Sequence, residues 1–413
     1  MLFANPRAVR ETYPAHLRCL LNIQQARQSR EWLAHWPLLN QQPTPLYPLP
    51  DLARQLGLAE VWIKDEAQRS CLGSFKALGA PFALLRQVIQ YWPHQPLSAR
   101  GLLLGRHRAL LKDYTVISAS DGNHGRALAA AAQSLGCRCV IVLHAGVSLE
   151  RELAIAAYDA HIVRIRGNYA QSVVEAARLA ATYDWQVIAD TGSLEAPSVP
   201  LDVMQGYASL VAEVLEQSAS QPEQPGFSHV LVQGGVGGLA ASVASYLWEY
   251  HGAARPRLLV VEPQQADCLY QSARAQQPSR ASGTADSLIA GLACGEASPL
   301  AWLFLQPSID SFVTIPDSAA LDAMRHLAAG SKHDRPLVAG ESGAAGLAGL
   351  KQLGKALALR RATRLTHHSR VLLINTEGAT DARLYQHWVG ETAQAVTRRR
   401  QGWRPSVASP ADA

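Results

Sequence analysis

A chain of 413 residues, 48% hydrophobic and 17% charged, has the material for two or three domains with buried cores, which excludes disorder as its main state. The net charge of +5 is modest and, apart from Arg398-Arg399-Arg400, is not gathered into basic runs, so small-molecule chemistry is expected and nucleic-acid binding is not. No apolar run approaches the roughly 20 residues of a spanning helix, and residues 1–7 lack the apolar core of a signal peptide, so no membrane partner and a cytoplasmic location are expected.

The first forty residues read as polar and helical, with Trp32, Trp36, Leu38 and Leu39 as packing anchors, and end at the extended segment Gln42-Pro43-Thr44-Pro45-Leu46. Residues 51–57 read as a short helix closed by glycine, and residues 61–63 as a strand running into Lys64-Asp65-Glu66. Next comes Gly73-Ser74-Phe75-Lys76-Ala77-Leu78-Gly79-Ala80. A helix is expected after it because Pro81 suits a first turn and apolar residues then recur at helical spacing. Lys76 thus lies behind a strand, near a helix start, among apolar and small neighbours. There it loses its proton at lower cost, and a neutral amine is what a Schiff base with an aldehyde cofactor requires. The alternative is a lysine that buries its methylenes and reaches its charge to water.

Residues 92–112 read as an exposed excursion or short helices. From residue 114 to residue 189 strands and helices alternate at short intervals, with strands expected at 114–118, 139–143, 162–165 and 186–189 and helices at 149–158 and 170–183. That is the pattern of a parallel sheet covered by helices. Cys137 and Cys139 would face one way on a strand, but two ligands make no structural zinc site, and no metal is expected. A second alternating series follows residues 197–200: a long helix over 202–217, a polar linker over 221–226, and strands at 229–232, 258–261 and 371–374. Residues 401–413, rich in Pro, Ser and Ala, read as a mobile tail.

Two further loops join strand to helix. Gly234-Gly235-Val236-Gly237-Gly238 can bring unhindered amides and a helix N-terminus onto a phosphate. From Gly235 it also matches G-x-G-x-x-A, with Glu262 where a dinucleotide's ribose partner would lie, so a nicotinamide or flavin enzyme is a rival reading. In Asp121-Gly122-Asn123-His124-Gly125, Asn123 can bond a ring oxygen and Asp121 can act as a base, while simple N-capping by Ser120, Asp121 or Asn123 is compatible with both. His124 is read as structural. A third loop, Asn375-Thr376-Glu377-Gly378-Ala379-Thr380-Asp381, can address a heterocycle's nitrogen or be only a turn.

In this order the three loops resemble the pyridoxal-phosphate enzymes of the tryptophan synthase β-subunit fold type. The Gly-Ser-Phe-Lys segment is similar to that of the serine and threonine dehydratases, and the match is closer still to the diaminopropionate ammonia-lyases. It covers most of the chain, from residue 42 to residue 378, through Gly167-Asn168-Tyr169, Asp190-Thr191, Met204-Gln205-Gly206-Tyr207, Ala290-Gly291-Leu292-Ala293-Cys294-Gly295-Glu296 and Gly340-Glu341-Ser342-Gly343-Ala344. The fold implied is α/β with two domains, each an open, mostly parallel sheet with helices on both faces. Residues 1–80 and 200–400 would form the larger, cofactor-anchoring domain and residues 81–199 a smaller mobile one.

By the same resemblance the cofactor is pyridoxal 5'-phosphate, bound by Phe75, Lys76, Asn123, the loop Gly234, Gly235, Val236, Gly237 and Gly238, and Thr376, with Lys76, Asp121 and Asp190 catalytic. The implied reaction is elimination of ammonia from 2,3-diaminopropionate, a small amino acid, by a homodimer. An acid at Asp121 favours the ammonia-lyase, because the dehydratases usually carry serine there. Two departures make the substrate side differ from the family. Ser193-Leu194-Glu195-Ala196 replaces a Trp-Glu-Gly-Tyr run, and Ala67-Gln68-Arg69-Ser70-Cys71 replaces a Ser-x-Arg-Phe-Gly type run. A dehydratase or β-replacement enzyme, and a cofactor-binding homologue without activity, are the alternatives on the same fold.

Overall fold

The computed structural model describes residues 1–404 except 121, 193 and 220–225. Among these residues eleven strands form two sheets. Seven belong to the larger sheet: β1 (Leu2–Ala4), β2 (Leu46–Pro48), β3 (Glu60–Asp65), β8 (His229–Gln233), β9 (Arg257–Pro263), β10 (Ser311–Ile315) and β11 (Arg370–Asn375). Their order is β1-β10-β9-β8-β11-β3-β2, parallel throughout except for the antiparallel edge strands β1 and β2. The smaller sheet holds β4 (Thr115–Ser120), β5 (Arg138–Leu143), β6 (His161–Arg164) and β7 (Gln186–Val187) in the all-parallel order β6-β5-β4-β7.

The central strands read as unbroken apolar runs because both faces of each sheet are covered. Successive side chains point to opposite faces. Thus Val230, Val232, Leu258 and Val260 pack into one core cluster while Leu231, Leu259 and Val261 pack into the cluster on the other face. The smaller sheet divides likewise, with Val116, Ile141 and Leu143 on one face and Ile117, Val140 and Val142 on the other. The two sheets with helices on both faces are the architecture expected.

The expected strands fall within a few residues of those observed; the short edge strands β1 and β2 and the inner strand β10 were not foreseen. The long helix expected over 202–217 is two helices, Ser198–Tyr207 and Ser209–Ala219. Gly206 lies at the end of the first, where an added Cβ would stand 2.0 Å from the Leu78 carbonyl oxygen, so that helix end is seated on the Lys76 turn. The segment read as a tail begins in a helix, Ala393–Gly402, whose Val396 is buried. Residues 405–413 and linker residues 221–225 lie outside the described residues.

Candidate active site

Three chain segments meet at the carboxyl ends of β11 and β4, where open α/β sheets place ligands. Lys76 lies in the 3-10 turn Phe75–Leu78, and the Ser74 hydroxyl accepts the Lys76 amide N–H at 3.2 Å. The turn is stitched to the loop after β11: Phe75 N donates to Thr376 O at 3.0 Å and Gly378 N to Gly73 O at 2.9 Å. Segments about 300 residues apart in the chain are thereby fixed side by side, and Thr376 is buried beside Phe75.

The Lys76 ammonium lies 2.5 Å from Asp190 Oδ2, and its charge faces the rings of Phe75 and Tyr207 at 5.4 and 5.5 Å. Burial alone would raise the Asp190 carboxyl, but the Lys76 charge, helped by His124, outweighs it and holds Asp190 at about 2. His124 is buried, with Nε2 2.8 Å from the Ile188 carbonyl, as a structural histidine should be, and its Nδ1 is 3.9 Å from Asp190 Oδ2. Ser120 is the residue that caps the helix Asn123–Leu135, its hydroxyl accepting from Gly122 N at 3.0 Å and Gly125 N at 2.9 Å. This leaves the Asn123 side chain free of capping duty, and its amide donates to Glu377. Asp121 and Ser193 lie outside the described residues.

Glu377 lies in the loop expected either to address a heterocycle's nitrogen or to be only a turn, and the sequence assigns no individual role to Arg151 or Glu341. The structure joins all three. Glu377 is buried and accepts from Asn123 and from Ser342 N, while Arg151, from the helix after β5, donates to Glu341 at 2.6 Å. Burial and then the Glu341 charge push the Glu377 carboxyl up to about 7, against the pull of Arg151 and its two hydrogen bonds. Glu341, inside the Gly-Glu-Ser-Gly-Ala run, and Glu377, inside the loop after β11, carry a signal in the sequence, and Arg151 carries none.

The glycine loop fits a phosphate. It precedes the helix Gly238–His251, and among the described residues no acceptor takes the amide N–H of Gly235, Val236, Gly237 or Gly238. Its back is closed by packing: a Cβ at Gly234 would stand 2.5 Å from Val260 Cγ1, and one at Gly237, where φ is +109°, would stand 2.8 Å from Leu305 Cδ1. Amides at the positive end of a helix, on a loop that admits no side chain at Gly234 or Gly237, make an anion cradle. The dinucleotide reading is overturned at Glu262. That residue is wholly buried and its carboxylate accepts from Leu269 N at 2.8 Å and Tyr270 N at 2.7 Å, so it caps the helix Cys268–Ala275 and cannot reach a ribose.

The family description "Pyridoxal-phosphate dependent enzyme" matches residues 38–377. The chain belongs to this family. Diaminopropionate ammonia-lyase of Escherichia coli K12 is 34% identical over 382 residues, 91% of this chain and 94% of that protein. Its counterpart in Salmonella typhimurium is 36% identical over 369 residues, covering 87% and 91%. The crystal structure of the holo Escherichia coli enzyme superposes with a TM-score of 0.85 at 32% identity, over 94% of this chain and 96% of that one. Pyridoxal phosphate is thus the cofactor of this chain. Among the described residues no helix is long and apolar enough to cross a membrane.

Proposed function

We propose that the protein eliminates ammonia from 2,3-diaminopropionate, yielding pyruvate and two equivalents of ammonia with the uptake of one water. The observation that carries the reading is the Lys76 ammonium 2.5 Å from the Asp190 carboxylate, with the Asp190 carbonyl oxygen 3.8 Å from where a Cβ on Gly238 of the glycine loop would stand. The names of its relatives supply the substrate.

Lys76 would hold the cofactor's aldehyde carbon, the amides of residues 235–238 its phosphate, Asn123 its ring oxygen and Thr376 its ring nitrogen, with Phe75 against it. When bound, the cofactor supplies an electron-poor ring that lowers the cost of negative charge at the substrate's Cα. Asp190 is ionised at neutral pH because Lys76 is charged beside it. When Lys76 Nζ gives up its charge, the largest pull on Asp190 is gone, burial raises its pKa, and Oδ2 becomes a proton acceptor of useful strength. Asp121 is proposed as the second acid, serving with the neutral Lys76 amine to take the α-proton, each from one enantiomer.

Polar contacts beside the site support residues 81–199 as a unit that moves against residues 1–80 and 200–400, with the helix Ala80–Tyr91 left fixed because Phe82 packs on Trp32 and shares an apolar core with Val203 and Tyr207. Besides Arg151 to Glu341, Ser148 Oγ donates to Asp381 Oδ2 at 2.8 Å and Glu150 Oε1 accepts from Ala382 N at 2.8 Å, all polar contacts that water can replace. A cytoplasmic homodimer completes the proposal, and sedimentation of the purified protein tests the dimer.

The deciding assay is pyruvate and ammonia release from both enantiomers of 2,3-diaminopropionate beside D- and L-serine. Two ammonia per pyruvate are expected from diaminopropionate, and slower release from serine. Serine is in the panel because Leu194, Glu195 and Ala196 stand where the family carries a different run. Faster turnover of serine would replace the ammonia-lyase reading with a dehydratase.

A further inference from the structure

Tyr207 ends the helix Ser198–Tyr207 and is 1% exposed. Its ring packs against Phe75 at 4.6 Å between centroids and faces the Lys76 ammonium at 5.5 Å. The ring is pinned, because a Cβ at Gly79 would stand 2.3 Å from its Cε1. In this fixed and buried setting the phenol oxygen makes no hydrogen bond of good geometry among the described residues, and the group it approaches is Lys76. A buried hydroxyl without a partner costs stability, and phenylalanine would fill the same volume without that cost. Packing therefore does not account for the oxygen.

The charges that act on the phenol are those of Lys76 and Asp190, and burial holds it above its ordinary range, so it stays neutral. A neutral phenol both accepts and donates: it can take an N–H from an ammonium and give its O–H to the lone pair of a neutral amine. We propose that the Tyr207 hydroxyl is a positioning group for Lys76 Nζ, hydrogen-bonding the amine in both protonation states that turnover requires. This rests on Lys76 being the lysine that holds the cofactor. No net proton transfer is needed from the tyrosine; the proton on its oxygen returns with each change of partner.

The test is Tyr207→Phe in the holoenzyme. Borohydride trapping should still place the pyridoxyl group on Lys76, and the thermal midpoint should be unchanged or higher. The turnover number should fall about tenfold, the worth of one hydrogen bond. The pH midpoint of the cofactor's visible absorbance should move by roughly 0.5–1 pH unit. An unchanged turnover number and midpoint would overturn the proposal, as would losses that merely track a lowered thermal midpoint, since those mark a packing role. Absence of the label from Lys76 in the unaltered protein is a separate outcome, which overturns the site reading and the proposal with it.

Discussion

Two lysines twelve positions apart in the sequence, Lys64 and Lys76, both contact a carboxylate, and they do opposite work. Lys64 is wholly buried on β3, and its ammonium donates to Thr44 O at 2.7 Å, Glu213 Oε2 at 2.7 Å and Gln217 Oε1 at 3.0 Å. Arg69 closes the cluster, bonded to both oxygens of Glu66 and both of Glu213. Each donor of Lys64 is used, so its charge is a fixed part of the fold. Lys76 keeps 22% of its side chain exposed and stands against a 14% exposed acid at the mouth of an anion cradle. Buried charge sealed by acceptors is structural, whereas a charged pair left open to a ligand is available for chemistry.

Breaking each pair should separate the two roles. Lys76→Ala should lower diaminopropionate turnover about 10⁴-fold, the upper range for a positioned proton-transfer group, while costing no more than about 1–2 kcal/mol of stability. Glu213→Ala should cost about 3–5 kcal/mol because it strands Lys64 and Arg69 without their acceptor. Urea unfolding followed by fluorescence, beside the turnover assay, reads both. A Lys76→Ala protein that unfolds as readily as Glu213→Ala would erase the distinction.

Acid sharpens the same contrast with a smaller effect. Burial would raise Glu213, but Arg69 and Lys64 outweigh it and hold its carboxyl at about 2, below the usual 4.5. A depressed carboxyl contributes stability that is full above the unfolded value and is lost as pH falls through the folded one. The protein should therefore lose about 3 kcal/mol between about pH 4.5 and about pH 2, at about 1.4 kcal/mol per pH unit. Glu213→Gln should flatten that limb. An unaltered acid limb in the variant would remove Glu213 as its source.

The difference between the two lysines was only half legible in the sequence. The octapeptide around Lys76 and the glycine loop announced themselves because chemistry demands particular residue types close together in the chain. The alternation of strands and helices announced the sheets for the same local reason. The partners of Lys64 could not be read that way, since Glu213 and Thr44 come from segments 149 and 20 residues distant. The departure at Ala67-Gln68-Arg69-Ser70-Cys71, read as a change on the substrate side, keeps Arg69 inside this buried cluster. Glu377 was equally hidden: a glutamate in a polar turn gives no sign that Glu341 and Arg151 will surround it. The helix break at Ala208 escaped because the close approach of Gly206 to Leu78 is a tertiary contact.

Reduction of the yellow holoenzyme with borohydride, followed by proteolysis and peptide mass mapping, reads out which lysine holds the cofactor. A pyridoxyl group is expected on Lys76 and none on Lys64. A label on Lys64, or on any lysine other than Lys76, would contradict that assignment.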